Sequence, residues 1–437
     1  MLKNKIVQLA QFVSEPHTRE MLVGSVTALF IKVLAAGGVF FMNVVIARKL
    51  GANEAGLFFL GFTLTFILAA FARMGLDNSL IRFISSTSQP DKVHGIYRKA
   101  LVWSTVLSLL TSGLLIYLAK PISTYIFKQP GFYEVLIVTA LAIPFSAIYT
   151  INTFALQGLK KIAKGMITLN IVVPFSILFC ILIFPINTAI LTAWIYLGAC
   201  GIAVSISYYW WLISSPRSST RTAFASKTIL ASCLPLWGVT VLTQVIQWSS
   251  QLMIGVWATS TDVALFTTAQ RTAMLTSFVL IAINAIAAPK FAMMYSKGDT
   301  EGLRRIALLS ARLLLVAAVP AIGFIFIFPE WLMGLFGEDF KGAANILIIL
   351  AAGQFINIAA GSVDILLSMT GHERELRLNV FLGAILGVIL GVLLIPTHGI
   401  LGGAIATTCA VSSRSILGVY QVNRLLGFNT LAFWRKL

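Results

Sequence analysis

The sequence predicts an all-α polytopic membrane protein, with twelve transmembrane helices arranged as two parallel six-helix bundles around a central cavity. Three observations carry that prediction. Apolar runs of about 20 residues, each enough to cross a hydrocarbon core about 30 Å thick, recur along the whole chain. Basic residues crowd into alternate loops, and the second half of the chain repeats the first at a fixed offset. Composition agrees: 58% of the 437 residues are hydrophobic and 11% charged, against about 25% charged in soluble domains.

The first run, Leu22–Ala47, is too long for a signal-peptide core, and its polar leader with Lys3, Lys5 and Arg19 marks an uncleaved cytoplasmic start. Ala55–Leu76, Ala100–Ala119, Val135–Leu156, Gly165–Phe184 and Ala189–Leu212 follow, and residues 1–213 are expected to form the first bundle. A cytoplasmic linker over 214–228 leads to the second, 229–437. Its spans are Ile229–Ala258, Val263–Ala288, Ile306–Phe328, Gly342–Met369, Leu376–Ile395 and Gly399–Val422. Pro144, Pro174, Pro235 and Pro320 fall inside spans and are expected to bend them. Gly383, Gly387 and Gly391 form a small-residue seam suited to helix contact. Trp103, Trp210, Trp211, Trp257 and Trp331 lie near span ends and read as interfacial anchors.

Net charge of +17 raises nucleic acid as a partner, but its distribution excludes that. With the N-terminus inside, 22 Lys and Arg fall in cytoplasmic segments and five in outer loops, as the positive-inside rule demands. Both termini are therefore expected in the cytoplasm. Cys180, Cys200, Cys233 and Cys409 all lie within spans without CxxC spacing, which indicates buried thiols and neither disulfides nor a metal site.

At an offset of 208, Glu54-Ala55-Gly56-Leu57-Phe58 falls on Asp262-Val263-Ala264-Leu265-Phe266, and Arg82-Phe83 on Lys290-Phe291. After a one-residue gap, Gly95-Ile96-Tyr97-Arg98 meets Gly302-Leu303-Arg304-Arg305. Two halves that both begin inside repeat in parallel, and transporters of that construction bind substrate between their halves. Chance similarity between two apolar hairpins is the rival explanation.

Five basic residues, Lys32, Arg73, Arg271, Arg312 and Arg414, fall inside the apolar runs. Each costs roughly 2.5–3.5 kcal/mol at the centre of a lone span, so together they imply a wet, cationic interior and an anionic cargo. Span 7 carries Thr240, Gln244, Gln247 and Gln251 at spacings of 4, 3 and 4, which share one helical face. Their repeat equivalents are Lys32, Ala36, Val39 and Asn43. That stripe serves either interhelical hydrogen bonds or a cavity wall whose amides meet sugar hydroxyls. Asp77 sits four residues after Arg73, so the two either neutralise each other or act separately. Asp364 has no evident local partner.

The stretch Ala47-Arg48-Lys49-Leu50-Gly51, then Glu54-Ala55-Gly56-Leu57-Phe58, Gly75-Leu76 and Ile81-Arg82-Phe83 resembles the opening of the oligosaccharide and polysaccharide lipid flippases. Leu156-Gln157-Gly158-Leu159-Lys160, Ile395-Pro396 and Gly402-Gly403-Ala404-Ile405-Ala406-Thr407 extend the likeness to both ends of the chain. These flippases share an exporter superfamily with multidrug extruders and lipid II flippases. Twelve spans fit the O-antigen type better than the lipid II branch, which commonly has fourteen.

The resemblance implies translocation of an undecaprenyl-pyrophosphate-linked oligosaccharide to the outer face of a bacterial plasma membrane, by a protein that is not an enzyme. Lys32, Arg271 and Arg312 are the expected pyrophosphate ligands, with Arg73 and Arg414 as further cations. Gln244, Gln247, Gln251 and Asn43 are the expected sugar contacts. No cofactor or metal is implied beyond a proton or sodium as coupling ion, for which Asp77 and Asp364 are the candidate carboxylates. Glycan polymerases or assembly proteins are the candidate partners besides the bilayer. Two rivals stand: a multidrug cation antiporter, which calls for acidic residues in the cavity, and a membrane glycan polymerase, which calls for a long outer loop with catalytic residues. No outer loop here exceeds roughly fifteen residues.

Overall fold

The computed structural model describes residues 16–87, 89–216 and 226–432. All regular structure among them is helical. Among the described residues, ten helices are long and apolar enough to cross a membrane. Such a chain must satisfy its backbone within each segment, because hydrocarbon offers no hydrogen-bond partner. Most of the expected linker, and Lys3 and Lys5 of the leader, lie outside the described residues.

The main helices are α1 (Pro16–Ala72), α2 (Leu76–Ser85), α3 (Pro90–Tyr117), α4 (Phe132–Gly158), α5 (Ile162–Ile183) and α6 (Ala189–Ser214). The second half holds α7 (Ser226–Trp257), α8 (Ser260–Ser296), α9 (Thr300–Ile327), α10 (Ala344–Ala359), α11 (Val363–Met369) and α12 (Glu373–Leu426). The long helices α1 and α12 each contain one break, at Gly51 (φ 73°, ψ 171°) and Gly399 (φ 55°, ψ −132°). Both are backbone conformations that glycine tolerates and side chains resist. The breaks fall where loops were expected between spans 1 and 2 and between spans 11 and 12. Each connection is therefore a one-residue hinge rather than a loop.

Helix starts follow local chemistry. Thr259 and Asp262 form a reciprocal capping box on α8, with Asp262 N donating to Thr259 Oγ1 (3.2 Å) and Thr259 N to Asp262 Oδ2 (3.0 Å). Asp299 accepts from Gly302 N at 2.7 Å to open α9. At α6 a distant residue assists: Ala189 N donates to Glu54 Oε2 at 2.7 Å, placing a carboxylate on the helix's positive end.

The basic-loop end of the first half is tied by a polar chain through α3, α4 and α6. Tyr97 Oη donates to Asn152 Oδ1 (2.8 Å), and Asn152 Nδ2 donates to Ser207 Oγ (3.0 Å). Trp211, expected as an interfacial anchor, belongs to this core instead. It is 2% exposed and stacks on Tyr97 at 4.0 Å between centroids. Trp257 and Trp331 are exposed, as anchors should be.

The glycine seam of α12 makes close contacts. A Cβ on Gly387 would meet Ala410 Cβ at 2.9 Å, and one on Gly383 would meet the Ala410 carbonyl oxygen at 3.0 Å. We expect Gly387→Val to destabilise the protein by about 1–3 kcal/mol through overpacking. A thermal melt of the purified variant reads this, and an unchanged midpoint would show that the seam gives way freely.

Candidate functional site

Two cavities lie side by side within the helices. The first, about 450 Å³, is walled by both halves of the sequence. Segment α1 contributes Lys32, Val39, Phe62 and Phe66, and Tyr149 and Tyr196 come from α4 and α6. From the second half come Trp248 of α7 and Arg271, Met274 and Phe278 of α8. Helix α5 adds Leu169, Asn170, Val173 and Pro174. Its backbone is widened into a π-turn over Thr168–Val172 just before Pro174. Proline lacks an N–H and crowds the carbonyl four residues back, and a π-turn absorbs both faults.

Lys32 and Arg271 are the charged residues of this wall, and no Asp or Glu lines it. Arg271 is fixed from three sides. Its Nη1 donates to Asn43 Oδ1, and its guanidinium lies over Phe59 (4.9 Å) and Phe62 (5.2 Å). Stacking on aromatic faces offsets part of the cost of holding a cation away from bulk water. Its buried Nη2 has no hydrogen-bond partner, so one donor edge is left for another group.

The second cavity, about 250 Å³, lies within the second half and is the more polar of the two. Gln247, Gln270, Gln354, Asn357, Asp364 and Arg414 line it. Arg414 Nη2 donates to Asp364 Oδ2 at 2.6 Å. Met274 belongs to both walls, and Gln247 Nε2 approaches its sulfur at 3.8 Å. A short 3-10 turn, Leu275–Ser277, interrupts α8 at this partition.

The halves of the sequence also touch on either side, along the chain, of the segment whose Phe62 and Phe66 line the first cavity. At the end away from the basic loops, Gly56 packs on the backbone of Ser260, whose Oγ donates to Asn53 Oδ1. Arg48 Nε there donates to the Leu335 carbonyl at 2.5 Å. At the basic-loop end, Gly75 abuts the backbone of Cys233 and Trp237, and Trp237 Nε1 donates to the Phe71 carbonyl at 3.1 Å.

The expected site residues divide accordingly. Lys32 and Arg271 share the first cavity, while Gln247, Asp364 and Arg414 share the second. Asn43 holds Arg271, and Gln251 Nε2 donates to the Phe59 carbonyl at 3.2 Å. These two positions align at offset 208, and each reaches across to the other half of the chain. Gln244 accepts from Trp248 Nε1 at 3.1 Å, orienting the indole that lines the first cavity. Arg73 is clamped by Asp77, with Nε to Oδ1 at 2.9 Å and to Oδ2 at 3.0 Å, and lies outside both cavities. Arg312 lines neither cavity. Asp364 does have a partner, Arg414, which the helix pairing supplies from 50 positions away.

A family model described as polysaccharide biosynthesis protein matches residues 45–345. The chain belongs to that family. This polysaccharide biosynthesis protein is 25% identical over 413 residues to the Haloferax volcanii protein named "Probable low-salt glycan biosynthesis flippase Agl15", covering 92% of this chain and 84% of that one. Among solved structures it matches an inward-facing multidrug resistance MATE transporter of the MOP superfamily, with a TM-score of 0.73 at 15% identity, over 91% of this chain and 98% of that chain. It also matches lipid II flippase MurJ in an inward closed conformation, with a TM-score of 0.73 at 14% identity, over 91% of this chain and 87% of that chain. At such identity these two structures share the fold. The resemblance read from the loop motifs thus holds for family and fold.

Proposed function

We propose that this protein flips an undecaprenyl-pyrophosphate-linked oligosaccharide from the cytoplasmic to the outer face of a bacterial plasma membrane. It does so by alternating access, as twelve spans in two bundles of six with both termini in the cytoplasm. The observation that carries the proposal is the charge of the first cavity, where Lys32 and Arg271 stand in an aromatic wall without a carboxylate. A phosphorylated headgroup supplies the missing negative charge, and an arginine fork suits phosphate oxygens in both charge and geometry. The name of the Haloferax relative supports a glycan cargo. Exposed apolar residues on α1 and α8, such as Phe30, Val33 and Ile286, leave the polyprenyl tail in lipid. Passing the glycan to a polymerase or other assembly proteins belongs to the same proposal.

Coupling to a proton or sodium gradient, through Asp77 or Asp364, belongs to the same proposal; each carboxylate is paired with an arginine, Arg73 and Arg414 respectively. The rival multidrug antiporter shares the MATE fold, but a cationic drug would meet two unneutralised cations in this chamber.

The test is a liposome assay that follows a fluorescent pyrophosphoryl-linked glycan across the bilayer. Lys32→Ala should slow flipping about tenfold or more, because a hydrogen bond to a charged group contributes about 1.5–3 kcal/mol. Uptake of a cationic dye without glycan flipping would refute the proposal in favour of the antiporter.

A further inference from the structure

We infer that the second cavity is a saccharide subsite, which takes the sugar next to the pyrophosphate while Arg271 holds the phosphates across Met274. The inference rests on the proposed flippase function and adds where the cargo's sugar is recognised. Three observations point to a neutral, hydroxyl-bearing ligand. First, the cavity's charges cancel, since Asp364 and Arg414 are paired at 2.6 Å. An ion of either sign would face a like charge there, whereas a neutral ligand faces none.

Second, the wall holds both donors and acceptors that nothing satisfies. Gln270 is 3% exposed, its Nε2 donates to the Gln247 carbonyl at 2.7 Å, and its Oε1 has no partner. Asp364 Oδ1 and Arg414 Nε are likewise buried and unpartnered. A buried acceptor or donor left unmade costs about 1–3 kcal/mol, so these atoms call for a partner that both gives and accepts hydrogen bonds. Sugar hydroxyls do both, and the amides of Gln354 and Asn357 lie on the same wall. Third, the size fits. At about 250 Å³ the cavity lies below the roughly 300–1,000 Å³ of drug-sized pockets, which suits a single ring rather than a whole repeat unit.

Position connects the two sites. Arg271 and Gln270 are chain neighbours on α8 that line different cavities, and Met274, one turn on, belongs to both. Methionine is unbranched and flexible, so it can yield to a ligand that bridges the partition.

The experiment measures binding of two lipids to the full-length protein in nanodiscs: undecaprenyl pyrophosphate, and undecaprenyl-pyrophosphoryl-N-acetylglucosamine. The variants are Gln354→Met and Gln270→Met, both on the wall of the second cavity. Each should weaken the sugar-bearing lipid about tenfold, the loss of roughly one well-formed hydrogen bond, and leave the sugarless lipid unchanged. Arg271→Ala should weaken both. The inference is overturned if the wild type binds both lipids equally. It is also overturned if Gln354→Met leaves both affinities unchanged or lowers both alike with its melting temperature intact. Failure of the wild type to bind either lipid would instead remove the proposed function, and this inference with it.

Discussion

Arg271→Ala is expected to slow flipping of the pyrophosphoryl-linked glycan by at least about 100-fold while the protein remains in the membrane. Truncating one member of a buried, hydrogen-bonded charge pair costs about 2–5 kcal/mol, and each 1.4 kcal/mol is tenfold. Arg271 earns the large end because its surroundings have already fixed it. Asn43 accepts from Nη1, Phe59 and Phe62 hold the plane, and Nη2 is left unpartnered at the cavity. Little orientation is left to lose when a phosphate arrives. Arg271→Lys separates charge from geometry: it keeps the cation but loses the fork and the stacking. Its activity should fall between wild type and the alanine variant. The liposome assay, with membrane-fraction abundance as the control, reads all three proteins, and wild-type flipping by Arg271→Ala would remove Arg271 from the mechanism.

The depth of Arg271 in its span was legible in the sequence, because a cation far from either end of an apolar run has few structural explanations. Its neighbours were not. Asn43 lies 228 positions away, and the phenylalanines over which Arg271 sits resemble every other aromatic in an apolar span. The same holds for Tyr149, Tyr196 and Trp248, which wall the cavity while giving no periodic signal. A pairing within one helix turn was open to the sequence as one of two readings, as with Arg73 and Asp77, but Arg414 and Asp364 meet only through helix packing. Gln270 was missed altogether. The signal was present, since an amide next to a buried arginine in an apolar run needs a partner. Span positions were legible to within a few residues, as with Val135–Leu156 against the observed Phe132–Gly158. The hinges at Gly51 and Gly399 were less so, because polar residues around them look like loops.

Gly56→Val and Gly75→Val are expected to push the protein in opposite directions. Each glycine packs against backbone of the other half, where no side chain can rotate away. A Cβ on Gly56 would land on the Ser260 carbonyl, and one on Gly75 would meet Cys233 O at 2.6 Å and Trp237 N at 2.7 Å. Overpacking of about 1–3 kcal/mol at one end penalises only conformations in which that end is shut. By the tenfold rule this shifts the population about 5–100-fold towards the state open at that end. In the proposed orientation, with the basic loops cytoplasmic, Gly56→Val favours the outward-open state and Gly75→Val the inward-open one. Gly75 carries an added strain, because its φ of 70° disfavours any side chain. Val39→Cys, placed on the cavity wall in a background without the native cysteines, reports the difference to a membrane-impermeant thiol reagent. Labelling from the outer face should rise with Gly56→Val, and labelling from the inner face with Gly75→Val, while either variant slows flipping. Equal labelling from one face in both variants would mean that the two glycine contacts do not close opposite ends of one chamber.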